Sequence, residues 1–267
     1  MGTVKGKEVV ASIYQNSMIN PFENEYLVQE IEFYNLPGEY DESPVLVDLC
    51  EPRGRLDDYF NKNWRVELSV RVPRMVVNGQ LWMSLTPMEL QSNWVPIKRA
   101  HGKVVIAGLG LGYTALRMAA KPSVESVTVV EIDSGVIGFF EAMFSTRPEF
   151  EKITIVRGDA RKIVPGYEAD FVFVDIYSVM CGDDMLEDIP TFCLEGAYDW
   201  EAVHFWGQEQ VVLTGVGMGL DVQFTTEELE LVIQWQQADD GKLFQMQDLL
   251  DDGGYVEDFL TELGRID

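Results

Sequence analysis

Between residues 102 and 174, short runs of consecutive apolar residues alternate with segments of helical periodicity. The apolar runs span residues 103–107, 126–132, 153–156 and 170–174, and the helical segments span residues 113–120 and 136–145. Strands that are apolar on both faces and alternate with helices are typical of a parallel sheet covered on both sides. We therefore predict an α/β fold with a Rossmann-like domain over residues 100–214, whose ligands bind beyond the carboxyl ends of the strands.

Residues 1–99 have a strand-like pattern, with short β segments predicted at 26–34, 44–49 and 65–77. The last of these runs into Asn78-Gly79, the dipeptide that best accepts the backbone of a tight hairpin turn, and residues 80–83 return as its partner strand. Thr86 then caps a short helix, with Glu89 three residues later as in a capping box. The sequence predicts a β-rich N-terminal appendage that ends in this helix.

Residues 215–267 are acidic and helical in pattern. A second capping box at residues 225–228 precedes a helix predicted over 229–237, and residues 221–267 contain 13 acidic and 2 basic residues. Two interpretations stay open: a solvated helical face followed by a frayed tail, or a docking surface for a basic partner. The apolar run at 211–216 is ambiguous between helix and strand.

The whole chain is strongly acidic, with 45 Asp and Glu against 20 Lys and Arg and a net charge of −25. Nonspecific binding to nucleic acid or to an anionic membrane is therefore not expected. The acidity fits a cationic small substrate, a basic partner protein or solubility alone. We find no signal peptide and no apolar segment of membrane-spanning length, so a cytoplasmic location is expected.

Cysteine and histidine are too few to predict a metal site. The three cysteines (Cys50, Cys181 and Cys193) form no Cys-x-x-Cys pair, and the two histidines, His101 and His204, are isolated in sequence. No metal is therefore predicted.

The clearest motif is a strand that runs into three glycines at alternate positions, Gly108, Gly110 and Gly112, followed at once by a helix. Without Cβ atoms at this turn, a ligand can lie against the backbone, where the first N–H groups of the helix are unpaired. The motif predicts a flat or anionic ligand. The alternative is that the glycines only make a tight turn.

Acidic residues follow the next three predicted strands. Glu131, 21 residues after Gly110, can accept the hydroxyls of a ribose. Asp159 would lie within reach of an adenine amino group, and Asp175 at the centre of the cleft. Residues 110–115 also satisfy Gly-x-Gly-x-x-Ala, which leaves a NAD enzyme as one alternative.

This run of about 75 residues resembles the S-adenosylmethionine-binding half of class I methyltransferases, and within them the spermidine synthase-like branch. The resemblance implies that the three glycines approach the methionine part of the cofactor, S-adenosyl-L-methionine. It also implies that Glu131 binds the ribose and that Asp159 contacts the adenine. Asp175 matches the first Asp of the aminopropyltransferase motif Asp-Ser/Thr-Ser/Thr-Asp.

The chain departs from that branch at two motifs. Ser178 replaces the second Asp of the catalytic motif, and Trp82-Met83-Ser84 replaces a Gln-x-Thr run after the hairpin. Methyl transfer to a small molecule or a protein side chain is therefore the leading hypothesis. Asp175 would serve as a base or cation binder, unless it only caps backbone N–H groups at the strand end. Aminopropyl transfer to a polyamine is second, and a noncatalytic acidic binding protein is third.

A fifth strand is predicted at residues 203–206. It would place His204 near the mouth of the same cleft, either as a proton carrier or as a satisfied structural histidine. A complete methyltransferase sheet adds an antiparallel hairpin after this strand, so either the sheet is truncated or the helical interpretation of residues 215–267 is wrong. A homodimer is among the expected assemblies.

Overall fold

A computed structural model of the chain describes residues 24–51, 70–177, 183–194, 198–199, 202–217 and 253–266. The strands are β1 (Tyr40–Glu42), β2 (Val45–Cys50), β3 (Val72–Val77), β4 (Gln80–Ser84), β5 (Gly102–Ala107), β6 (Val124–Glu131), β7 (Ile153–Arg157), β8 (Phe171–Val174) and β9 (Val203–Phe205). The helices are α1 (Asn24–Tyr34), α2 (Pro87–Ser92), α3 (Trp94–Arg99), α4 (Tyr113–Ala119), α5 (Ser134–Phe144), α6 (Ala160–Ile163), α7 (Asp183–Ile189), α8 (Gln208–Gly217) and α9 (Gly253–Glu262). The predicted strand at residues 65–69, the helix at 229–237 and Ser178 lie outside the described residues.

The central feature is a five-stranded parallel sheet with the order β7-β6-β5-β8-β9. In β5, residues 104–107 are at most 2% exposed, and all four residues of β8 are buried, as expected for strands covered on both faces. The chain winds outward in opposite directions from β5, so the crevice of this sheet lies between the ends of β5 and β8. The predicted Rossmann-like architecture is confirmed.

Two apolar cores flank the sheet. Aromatic rings of α5 fill one core, where Phe140 lies 5.3 Å from Phe144, centroid to centroid. The other core contains Phe192 and Phe205, which pack edge to face at 6.1 Å. Both faces of the parallel strands are thus removed from water, which is why their sequences are apolar without alternation.

The antiparallel sheet has the order β1-β2-β3-β4, and its β3–β4 connection is the predicted hairpin. Asn78 and Gly79 both have positive φ, 52° and 76°, as a two-residue turn of this kind requires. The sheet packs on α5, where the Tyr40 ring meets Phe139 edge to face at 5.5 Å. The β-rich N-terminal part therefore shares one core with the Rossmann-like domain.

Residues 26–34 are helical, and the predicted strand at this position is wrong. Leu27, Glu30 and Tyr34 are all at most 3% exposed and lie three and four residues apart, the spacing of one helix face. Glu30 is buried because it accepts hydrogen bonds from Tyr113 Oη and Arg117 Nη2, each at 2.7 Å. A paired carboxylate inside the apolar face conceals the helical period in the sequence.

The described C-terminal residues pack into the second core. The ambiguous run at 211–216 belongs to helix α8, and α9 packs on α8 with Val256, Phe259 and Leu260 fully buried. A frayed tail is therefore wrong for residues 253–266. In the described part of the chain, the sheet ends at β9.

No helix in the described part of the chain is both long enough and apolar enough to cross a bilayer.

Candidate functional site

The carboxyl ends of four parallel strands carry the predicted site residues. The glycine loop, residues 108–112, follows β5, and Asp175 follows β8 across the crevice. Glu131 ends β6, and Asp159 lies two residues beyond β7. Because neighbouring strands lie about 4.8 Å apart, the ends of β5, β6 and β7 span about 10 Å along one edge.

The Glu131 carboxylate holds the glycine loop in place. Its Oε2 accepts a hydrogen bond from Leu109 N at 2.9 Å, and its Oε1 accepts one from Asp133 N at 2.8 Å. Each carboxylate oxygen has two lone pairs, so one on each oxygen remains for a further donor such as a ribose hydroxyl. Glu131 is 9% exposed, at the boundary between the interior and the crevice.

Two of the loop glycines are required by close contacts within the protein. A Cβ on Gly108 would lie 2.0 Å from the backbone oxygen of Asp175, and one on Gly112 would lie 2.2 Å from the Phe140 ring. Both residues also have positive φ, 93° and 77°. The tight-turn interpretation therefore accounts for these two glycines by itself.

Met83 from β4 lies against the glycine loop at Gly110 and Leu111. The Met83 Sδ atom accepts a hydrogen bond from Leu111 N at 3.1 Å and lies 2.5 Å from the position of a Cβ on Gly110. Other N–H groups of the loop are also bound internally, since Gly108 N donates to Val130 O and Gly112 N donates to Leu109 O. Within residues 108–112, the N–H groups of Gly108, Leu109, Leu111 and Gly112 are thus bound inside the protein, and unpaired donors in the first turn of α4 stay a prediction.

Asp175 lies close enough to a second carboxylate, Glu89, for the two charges to interact, although the sequence predicts Glu89 only as part of a helix cap. Burial raises the pKa of Asp175 well above its usual value, and the charges of Glu89 and Glu131 raise it further. No hydrogen bond to the Asp175 carboxylate occurs among the described residues. The alternative that it only caps backbone N–H groups stays a prediction, because residues 178–182 lie outside the described part of the chain.

Glu89 completes only half of the predicted capping box. Its backbone N donates to Thr86 Oγ1 at 3.5 Å, but Thr86 N donates to Ser84 O instead of to the Glu89 carboxylate. That carboxylate accepts a hydrogen bond from Asn93 Nδ2 at 3.0 Å. Burial raises the pKa of Glu89 to about 7, although the hydrogen bond from Asn93 opposes the shift.

Asp159 lies at the same edge but has local partners. Its Oδ1 accepts a hydrogen bond from Arg161 N at 3.1 Å and so caps α6, and its Oδ2 pairs with Lys162 Nζ at 2.9 Å. The hydrogen bond and charge of Lys162 lower the pKa of Asp159, which therefore stays ionised at neutral pH. An adenine contact would use the remaining lone pairs.

His204 does not lie at the mouth of the cleft, so its predicted location is wrong, although the strand that carries it is β9 as predicted. Its ring is 0% exposed between β8 and α3. Its Nδ1 lies 3.0 Å from Arg99 Nη1, and its Nε2 lies 2.6 Å from Glu209 Oε1. A ring sealed from solvent in this way acts as a structural histidine, because the core supplies its polar partners.

Ile132 is an exposed apolar residue beside the candidate site that the sequence pattern did not single out. It follows Glu131 directly and is 67% exposed, a large exposure for an isoleucine. The signal in the sequence is an apolar residue placed between two acids at a strand end. Its side chain offers an apolar surface at the edge where Asp159 also lies.

The site as a whole is rich in carboxyl groups. The charges of Glu89 and Glu131 both act on Asp175, and the N–H groups of Leu109 and Leu111 in the loop are bound internally. When ionised, these carboxyl groups favour a cationic ligand and disfavour the pyrophosphate of NAD.

The family comparison supports the resemblance seen in the sequence. Residues 95–192 match the family model described as spermine/spermidine synthase domain, a range that contains the glycine loop, Glu131, Asp159 and Asp175. Over these residues, the chain is similar to that domain. The range ends before β9 and does not include the antiparallel sheet.

The chain is also similar to solved structures, at low sequence identity. A spermidine synthase from Thermotoga maritima is 16% identical, with 64% of this chain and 55% of that one covered and a TM-score of 0.37. A methyltransferase from Geobacter sulfurreducens is 21% identical, with 36% and 52% covered and a TM-score of 0.30. The chain thus spans about half the length of the spermidine synthase. No curated protein matches it.

Proposed function

We propose that this chain is a transferase that binds an S-adenosyl sulfonium nucleoside at the carboxyl edge of the parallel sheet and alkylates an amine. The observation that carries the proposal is the convergence of the glycine loop with Glu89, Glu131 and Asp175 at the β5–β8 crevice. A sulfonium and an amine both bring positive charge. A crevice in which the charges of Glu89 and Glu131 act on Asp175 stabilises both.

The edge of the sheet fits an adenosine. Glu131 keeps one lone pair on each oxygen for the two ribose hydroxyls, and Asp159 is an acceptor for the adenine amino group. The exposed Ile132 side chain offers an apolar surface for the flat base. When bound, the nucleoside supplies an alkyl carbon activated by positively charged sulfur.

Asp175 is the residue that we assign to proton transfer. Its raised pKa makes it a stronger base than an exposed aspartate, so it can accept a proton from an ammonium group held beside it. The amine lone pair then forms a bond to the alkyl carbon while the carbon–sulfur bond breaks and its electron pair stays on sulfur. The remaining role of the protein is to align the two reactants.

On the sequence motifs alone, S-adenosylmethionine with methyl transfer is the leading candidate donor. A specific observation favours a second candidate, aminopropyl transfer from decarboxylated S-adenosylmethionine. The carboxylate of a methionine tail would meet the charges of Glu89 and Asp175, whereas the ammonium of an aminopropyl tail would be attracted. The acceptor in either case is proposed to be a small cationic amine or the amine of a protein side chain.

A turnover assay with both donors tests the proposal. Each donor is incubated with separate panels of diamines, monoamines and lysine-containing peptides, and the products are analysed by mass spectrometry. An alkylated amine from either donor supports the proposal, and the added mass tells methyl from aminopropyl transfer. Binding of a nucleoside without any alkylated product would favour the third hypothesis, a noncatalytic binding protein.

A further inference from the structure

Met83 connects the antiparallel sheet to the glycine loop. This loop is proposed to receive the tail of the nucleoside, which is the methionine or aminopropyl chain on its sulfur. Its sulfur is bound to Leu111 N and fills the space in front of Gly110. The N–H group of Leu111, which an open loop would leave available to a ligand, is therefore bound to a thioether.

A thioether and a backbone N–H group select different tails. A carboxylate binds strongly to exposed N–H groups at a turn before a helix, whereas a neutral sulfur is only a weak acceptor and offers no donor. With Leu111 N occupied, a carboxylate tail must displace Met83 or remain without that hydrogen bond. A tail without the carboxylate needs no hydrogen bond from Leu111 N, so it binds without displacing Met83.

We infer that Met83 is a specificity-determining residue, which disfavours donors with a carboxylate on the tail and admits donors without one. The inference rests on the proposed function, because it concerns the tail of the nucleoside. The charges of Glu89 and Asp175 act in the same direction, so Met83 contributes one separable part of the selection.

The test compares two nucleosides that differ only in the tail carboxylate: S-adenosylhomocysteine and its decarboxylated analogue. Dissociation constants are measured by titration calorimetry for the wild type, Met83→Ala and Met83→Leu. The wild type should bind the decarboxylated analogue more tightly. In Met83→Ala, the preference should fall by about tenfold, the effect of one freed hydrogen bond.

Met83→Leu separates volume from hydrogen bonding. Leucine still fills the loop but accepts no hydrogen bond, so the preference should stay within about twofold of the wild type. Met143→Ala on α5 is the matched control, because Met143 lines a separate groove beside Phe33 and Arg147. It should leave the preference unchanged, and thermal denaturation of each variant confirms that it is folded.

The possible results are distinguishable. An equal affinity of the wild type for both nucleosides, or an unchanged preference in folded Met83→Ala, overturns the inference but leaves the proposed function intact. If Met83→Leu loses the preference as fully as Met83→Ala does, Met83 still sets the preference. It then does so through the hydrogen bond from Leu111 N to its sulfur and not through its volume. If the wild type binds neither nucleoside, the proposed function itself fails and the inference fails with it.

Discussion

The backbone N–H of Leu109 donates to Oε2 of Glu131 at 2.9 Å, so the acid that ends β6 holds the glycine loop that follows β5. The same carboxylate accepts a hydrogen bond from Asp133 N, the residue that caps α5. One side chain thus links two strand ends and a helix start. Its position serves the fold as well as the proposed ribose contact.

Glu131→Ala should lower stability and abolish nucleoside binding together. Removing the carboxylate leaves the N–H groups of Leu109 and Asp133 without acceptors, at a cost of about 1–3 kcal/mol in the free energy of unfolding. Urea denaturation measures this change. Glu125→Ala is the control, because Glu125 is exposed on the same strand; an equal loss in both variants would show that the loop does not depend on Glu131.

Gly108→Ala should be among the most destabilising single changes in the domain. The added Cβ would overlap the backbone oxygen of Asp175 at a position that also has positive φ, so a loss of about 2–5 kcal/mol is expected. Gly166→Ala is the control, because nothing lies within 4 Å of the new atom. Equal melting temperatures for the two variants would contradict the close packing of the loop on β8.

Asp175→Asn should reduce turnover without a matching loss of nucleoside binding. The amide has nearly the same shape but cannot accept the proton of an ammonium group, so kcat/KM should fall by about 10²–10⁴-fold. Asp170→Asn is the matched control, since Asp170 lies just before the opposite end of β8, where it accepts a hydrogen bond from Lys103 N. Retained turnover in Asp175→Asn would remove Asp175 from the proposed chemistry.

Stability should decrease as the pH rises from about 4.5 to about 7, because burial raises the pKa of Glu89 from 4.5 to about 7. Over this range the folded state binds more protons than the unfolded state, so raising the pH favours unfolding. Glu89→Gln should flatten this part of the pH profile, whereas exposed Glu141→Gln should not. Denaturation curves at several pH values measure both; equal slopes would contradict the raised pKa of Glu89.

Cation binding should show the opposite dependence on pH. A bound amine favours the ionised forms of Glu89 and Asp175, so its affinity should increase between pH 6 and 8 with release of protons. Calorimetry in buffers of different ionisation enthalpy measures the released protons. Proton uptake on binding would contradict the assignment of a cationic ligand.

The elements with strong local signals could be predicted from the sequence. The apolar runs of β5 and β8 are buried on both faces, and Asn78-Gly79 makes the turn that only a few residue pairs accept. The order of these signals also predicted which strand ends form the edge of the site. Helix α1 was missed because its polar Glu30 is buried by pairing with Arg117, 87 residues away in the sequence.

The sequence does not predict which side chains lie in the site, because they are brought there by contacts between distant segments. Met83 enters the glycine loop from another sheet, and the Glu89 carboxylate accepts a hydrogen bond from Asn93 instead of one from the helix cap. The sequence predicts His204 at the cleft, but the structure buries it, because position on a strand does not show which face of the sheet a side chain occupies. Local patterns identify the strand ends, but only packing decides which groups face the crevice.

The most direct test of the nucleoside site is titration calorimetry with 5′-methylthioadenosine, the part that both candidate donors share. Ile132→Asp places a charge on the proposed base surface at a side chain that is 67% exposed, so the fold should be unaffected. Leu81→Asp, at a side chain 64% exposed on β4, is the control. We predict saturable binding by the wild type and Leu81→Asp and a loss of about tenfold or more in Ile132→Asp. Absence of saturable binding by the wild type, or equal affinity in all three, would contradict the account.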